Sequence, residues 1–95
     1  MYDIAIIGAG AAGASAALFT AKAGKKTVVI DNDKGLTRRA WVKNHYGAPD
    51  LSGSELVDIG HKQAIGFGAE IVQDKAVDIV KSGEGFTIQT EEKGS

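Results

Sequence analysis

The sequence predicts an α/β fold: a three-stranded parallel sheet in the order 3-2-1, helices packed on it, and a C-terminal antiparallel β-hairpin. Three observations carry this. A short apolar run, Tyr2 to Ile7, is followed by a glycine-rich turn and an alanine-rich stretch, which then gives way to a second β-branched run, Thr27 to Ile30. A second amphipathic stretch precedes a third short strand. Near the end, two alternating segments flank "SGEG". Alternating strands and helices of this kind build parallel sheets, and the late alternation builds a hairpin.

The first strand, Tyr2 to Ile7, is a short apolar run and is expected to be buried on both faces. Ala11 to Ala23 is expected to be helical, because alanine is the best helix former. Gly24 suits the position just past the helix end, with Lys22, Lys25 and Lys26 beside the negative end of its dipole. With Thr27 to Ile30 this completes a βαβ unit of about thirty residues. Asp31 to Leu51 has no clear period and holds both arginines, the only tryptophan, His45 and the only proline. A long irregular segment in a small domain is often functional. The second helix starts at a capping box, Ser52 with Glu55 three positions on. Leu56, Ile59, Gly60, Gln63, Ala64 and Phe67 recur at helical spacing as its expected buried face, and Gly68 ends it. Glu70 to Val72 is the third strand, Ala76 to Val80 and Phe86 to Gln89 form the hairpin, and "EEKGS" is a polar tail expected to fray.

Composition narrows the function. The chain has 95 residues and a net charge of −1, so it is at most one domain and has no basic excess for nucleic acid or an anionic membrane. No apolar run approaches the roughly 18 residues that suggest a membrane span. Ile4 to Phe19 is uncharged, but Asp3 precedes it and no Lys or Arg does, so no signal peptide is expected. There is no cysteine, which excludes disulfides, thiolate nucleophiles and zinc–thiolate sites within these residues. His45 and His61 lack a third ligand at a suitable spacing, so no metal site is expected. Ser15, Ser52 and Ser54 lack the G-x-S-x-G elbow of a hydrolase.

The thirteen glycines are the strongest bias. Gly8-Ala9-Gly10-Ala11-Ala12-Gly13 is a full G-x-G-x-x-G between a strand and a helix, with Asp31 closing the second strand about twenty residues on. Gly8 allows the sharp turn, Gly10 lets a pyrophosphate approach the backbone, and Gly13 lets the helix lie close to the strand. The free N–H groups of the first helical turn and the helix dipole favour phosphate. Asp31 can accept two hydrogen bonds from a ribose diol and would repel a 2′-phosphate, which disfavours NADP. Tight packing alone would also use glycine and alanine, but it does not require Asp31. The pattern is Rossmann-like and leaves FAD and NAD open.

At this point the chain resembles the beginning of the FAD domain of thioredoxin reductase-like flavoproteins, in the two-dinucleotide-binding group of pyridine nucleotide-disulfide oxidoreductases. The likeness runs through "YDIAIIGAGAAGASAALFTAKAGKKTVVID", "KGLT", "VKNHYGAPDLSGSEL" and "FGAEIVQDKAVDI". It implies that Gly8, Ala9, Gly10, Ala11, Ala12 and Gly13 hold the FAD pyrophosphate and that Asp31, with Asn32 beside it, holds the adenosine ribose. It also implies that Thr37 and Asn44 approach the ribityl chain and flavin, and that a backbone group of Ala76 meets the adenine edge. The family usually has proline at Ala11, glutamate at Asp31, and an aromatic followed by proline and glycine at His45-Tyr46-Gly47. The family's next parallel strand, its NAD(P)H domain with a redox Cys-x-x-Cys, and its late Gly-Asp segment have no counterpart here.

Three functions therefore stand. One is an FAD-binding module of a cytoplasmic oxidoreductase, holding the ADP half of the cofactor within a single, truncated domain, residues 1–95. Another is an NAD-binding module of a dehydrogenase. The last is a folded fragment that binds no nucleotide tightly. No residue is expected to be catalytic. Arg38 and Arg39 are read as a solvated pair rather than phosphate ligands, and Trp41 as cover for the core rather than for a flavin. The apolar edge of the first strand, Ile4 to Ile7, is expected to be bare and to recruit a second copy, giving a homo-oligomer.

Overall fold

The computed structural model describes residues 1–47 and 50–92; Pro49 and the last residues of the polar tail lie outside them. The elements run β1 (Ile4–Ile7), α1 (Ala11–Lys22), β2 (Thr27–Asp31), a 3-10 turn (Leu36–Arg39), β3 (Trp41–Val42), β4 (Leu51–Ser52), α2 (Gly53–Gly66), β5 (Glu70–Gln73), β6 (Ala76–Ser82) and β7 (Gly85–Thr90). The parallel sheet has the order β1-β2-β5, which is the expected 3-2-1 arrangement of the three parallel strands. Ile6 pairs with Val29, and Val29 with Ile71, so these three side chains point to one face. On that face lies the core: Ala9, Ala17, Ala21, Val29, Ala64 and Ala69, with Ile6, Leu18 and Ile71 packed against it. A core this rich in alanine brings both helices close to the strands and each other. A Cβ added at Gly60 of α2 would meet the Ala14 methyl of α1 at 3.5 Å.

Both helices end as their sequences predict. In α1, Gly24 takes φ 86°, its N–H donates to the Ala21 carbonyl, and the Lys25 N–H donates to the Thr20 carbonyl. This is a Schellman motif, which satisfies carbonyls that the last turn leaves free. The same pair of bonds, from Gly68 to Ile65 and from Ala69 to Ala64, closes α2. At the other end of α2, Ser52 is the N-cap and its Oγ accepts from the Glu55 N–H at 3.1 Å.

Several expectations need correction. β1 is not buried on both faces: Ala5 and Ile7 are exposed, with Ile7 at 49%. Both helices lie on the other face, and β1 sits at the sheet edge. The hairpin reaches only part of the open face, where Phe86 and Ile88 share a cleft with Val28, Ile30 and Val72. The buried stripe of α2 is Gly53, Val57 and Ala64, whereas Ile59 and Phe67 are exposed. Small residues sit where backbone comes close: Gly60 against Ala14 of α1, and Gly53 against the Thr37 and Ala40 carbonyls. The segment 31–51 is less irregular than expected, since it contains the 3-10 turn and the antiparallel β3–β4 pair. Trp41 does not cover the core. It is 63% exposed and its Nε1 donates to Asp50.

Candidate functional site

The C-terminal ends of β1, β2 and β5 lie side by side, and the loops leaving them build the site. The turn after β1 has the shape its glycines suggest. Gly8 takes φ 96°, and its N–H donates to the Ile30 carbonyl at 2.8 Å. A Cβ at Gly13 would stand 1.8 Å from the Gly8 carbonyl oxygen, so this contact admits no side chain. A Cβ at Gly10 would meet nothing within 4 Å, so the space over Gly10 is open.

The N-terminus of α1 is left uncapped. Gly10 is the N-cap and offers no side chain, and the first turn carries no acidic residue. The Gly10 carbonyl accepts the first helical bond, from the Ala14 N–H at 2.9 Å. The preceding N–H groups of the turn have no helical partner. α2 differs, since Ser52 and Glu55 satisfy its first turn. The positive end of the α1 dipole thus faces outward beside an open backbone, as an anion requires.

Asp31 ends β2, half-buried, and its Oδ1 accepts the Ala9 N–H at 3.0 Å. The carboxylate is therefore fastened to the glycine loop, with acceptor capacity remaining on both oxygens. Asn32 is exposed, and its Oδ1 accepts from the Lys34 N–H at 3.2 Å. It shares a cleft of about 450 Å³ with Lys34, Gln73, Asp74 and Lys75, which adjoins Ala76 at the start of β6. The other two expected residues stand apart. Thr37 lies in the 3-10 turn with its carbonyl so close to Gly53 that a Cβ there would sit 1.4 Å from the oxygen. Asn44 is exposed beyond β3. Its neighbour His45 is the residue that lines a cavity of about 90 Å³ with Gly10, Ala11, Ser15, Ile59 and Gln63.

Three side chains take roles that the sequence reading did not give them. Arg38 is not solvated: it pairs with Asp33 at 2.5 Å and Asp58 at 3.0 Å, and donates to Ser54 Oγ at 3.1 Å. The hydrogen bond to Asp58 does most to hold its guanidinium above its ordinary range; partial desolvation opposes this, and Asp33 adds to it. Arg38 thereby ties the loop after β2 to α2. Asp33 meets it from a left-handed backbone, φ 61°, which Asp tolerates better than most residues. Asp74 is 5% exposed, and its Oδ1 accepts from the Lys75 and Glu92 N–H groups, tying the exit of β5 to the end of β7. His61 reaches from α2 to the glycine loop, where its Nε2 lies 2.6 Å from the Ala9 carbonyl oxygen. A sequence signal for His61 existed. It follows Val57 by four residues and precedes Ala64 by three, which puts it beside the buried stripe of α2.

Among the described residues no helix is long and apolar enough to cross a membrane. Comparison with known proteins agrees with the geometry. The thioredoxin reductase of Aquifex aeolicus is 46% identical over 83 residues, which cover 81% of this chain and 25% of that protein. That of Peptoclostridium acidaminophilum is 40% identical over 88 residues, covering 88% and 28%. Among solved structures, a thioredoxin reductase from Gloeobacter violaceus superposes with a TM-score of 0.90 at 29% identity, over 94% of this chain and 29% of that one. The atypical thioredoxin reductase TRi from Desulfovibrio vulgaris Hildenborough gives 0.88 at 35%, over 99% and 32%. The chain thus spans between a quarter and a third of the length of these relatives. The model of the pyridine nucleotide-disulphide oxidoreductase family matches residues 2–95, and the chain belongs to that family.

Proposed function

We propose that these residues form an FAD-binding module of a thioredoxin reductase-like oxidoreductase and hold the ADP half of the cofactor. One observation supports this above the rest: the uncapped, acid-free N-terminus of α1 opens over Gly10, beside the Asp31 carboxylate. The N–H groups of the turn would take the pyrophosphate. Asp31 would take the ribose hydroxyls and, by its charge, turn away a 2′-phosphate. The cleft between Asn32 and Lys75, next to Ala76, has room for the adenine.

The flavin, when bound, supplies the redox chemistry, while the protein binds and orients it. The residues here fit one half of that task better than the other. The cavity between Gly10 and His45 is about 90 Å³, well below the roughly 300 Å³ at which ligand pockets begin. Thr37 and Asn44 would meet the ribityl chain and flavin only once further structure encloses them. The 95 residues hold no thiol, so a thiol–disulfide step would use groups outside them. We place the protein in the cytoplasm, in a single domain.

Calorimetric titration with FAD, ADP, NAD and NADP tests the proposal. Binding of FAD and ADP with similar affinity supports an ADP-half site. NAD binding tighter than both would move the chain to the dehydrogenases. Binding of none of the four would leave the glycine turn as architecture.

A further inference from the structure

We infer that His61 is a positioning residue for the glycine loop and that it aims the Gly10 N–H outward. The inference rests on the nucleotide-binding reading of that loop for its purpose, but not for its geometry. Ala9 is 1% exposed, and its peptide groups are held from two sides. Its N–H donates to Asp31 Oδ1 at 3.0 Å, and its carbonyl oxygen lies 2.6 Å from His61 Nε2. A carbonyl only accepts, so Nε2 carries the proton and donates. The two partners come from different elements, the end of β2 and the middle of α2, and His61 is 52 residues away from Ala9 along the chain.

The consequence follows from peptide geometry. The bond between Ala9 and Gly10 is trans, since no cis peptide bond occurs among the described residues, so the Ala9 carbonyl and the Gly10 N–H point in opposite directions. Pinning the carbonyl inward on His61 turns the Gly10 N–H outward. There it joins the free N–H groups at the start of α1. Without the pin this peptide plane is easily rotated, because glycine on its C-terminal side accepts conformations that other residues do not. A rotated plane would present a carbonyl oxygen to the phosphate instead of a donor. The Asp31 bond fixes only the preceding peptide, between Gly8 and Ala9. His61 is therefore the side chain that sets the orientation of the next one.

The test compares His61→Leu, which keeps bulk but cannot donate, with His61→Gln, whose amide can. The Ala9 carbonyl carbon shift, followed by NMR, reads the loop directly, and calorimetry with ADP reads its use. In His61→Leu the Ala9 carbonyl carbon should shift upfield, as a carbonyl that loses its donor does, and ADP should bind about tenfold more weakly, in line with the loss of one hydrogen bond. His61→Gln should restore most of both. An unchanged carbonyl shift in His61→Leu, or equal impairment in the two variants, would overturn the inference. If the leucine variant fails to fold, the nitrogen shifts of His61 in the wild-type chain decide. An Nε2–H tautomer supports the inference, and an Nδ1–H tautomer refutes it. A wild-type chain that binds no ADP would sink the nucleotide reading, while the carbonyl shift would still judge His61.

Discussion

At Gly10 an added methyl group meets nothing within 4 Å, whereas at Gly13 it lands 1.8 Å from a backbone oxygen. Two glycines of one motif therefore fail differently when changed. Gly10 has φ −70°, which alanine also adopts, so Gly10→Ala should fold with stability within about 1 kcal/mol of wild type. Its methyl would occupy the phosphate approach, and ADP binding should fall at least about tenfold. Gly13→Ala must push α1 away from β1 and should lose about 3 kcal/mol or fail to fold, as overpacked sites do. Urea unfolding and ADP calorimetry on both variants separate the two effects. Equal stability losses would mean that the motif serves packing alone. The turn at Gly8 and the close contact at Gly13 were legible in the sequence because each follows from local spacing. The Ala9–His61 contact was not, because its partners meet only once α2 has packed. Asp31 was legible as the residue closing β2, but its bond to Ala9 was not. The family's usual glutamate gave no hint that the shorter acid would fasten onto the loop.

Helix α2 joins two parts of the site, and its ends and faces test separately. Ser52→Ala removes the bond to the Glu55 N–H and should cost about 1 kcal/mol, with ADP affinity barely changed. Arg38→Ala releases the 3-10 turn from Asp33 and Asp58, whose side chains are 42% and 60% exposed. Ion pairs so open to water are worth about 1 kcal/mol or less, and salt screens them. The loss in Arg38→Ala should therefore shrink as sodium chloride is raised to about 1 M, while that in Ser52→Ala should not. Urea unfolding at low and high salt checks both. The capping box and both helix ends could be read from sequence, since caps are local patterns. The buried face of α2 could be read only in part, at Ala64 and at Gly60, which lies against Ala14. Hydrophobicity favoured Ile59 and Phe67, which are exposed, whereas Gly53 and Val57, which it passed over, are buried, Gly53 against the Thr37 and Ala40 carbonyls. Arg38 was misread for a similar reason, because Asp58 lies 20 residues further along the chain.

The helices cover one face of the sheet, and on the other Val28 and Ile30 are buried while Ala5 and Ile7 of β1 stay exposed. The covered face relies on small side chains, and Val29 is its largest fully buried apolar one. Val29→Ala should cost about 2 kcal/mol, a large fraction of the stability of so small a domain. Among the described residues β1 pairs only with β2 and forms the sheet edge, with Ala5 and Ile7 exposed beside it. Val77, Ile79 and Phe86 of the hairpin are exposed as well. Bare apolar edges recruit other chains. We expect the 95-residue chain to self-associate, with light scattering showing a mass that rises with concentration. A constant monomer mass up to about 1 mM would remove this expectation. Sheet order and hairpin were legible in the sequence because strand periodicity and connection rules determine them. The open face was not, since an apolar strand looks the same whether or not something covers it.

The most direct measurement is a calorimetric titration of the wild-type chain with ADP, repeated with FAD under the same conditions. Saturable binding of one ADP per chain, with FAD matching it to within about threefold, is the expected result for a site that holds the ADP half and leaves the flavin outside. Heats no larger than dilution for both ligands would show that the open N-terminus of α1 and the Asp31 carboxylate do not form a nucleotide site in these residues.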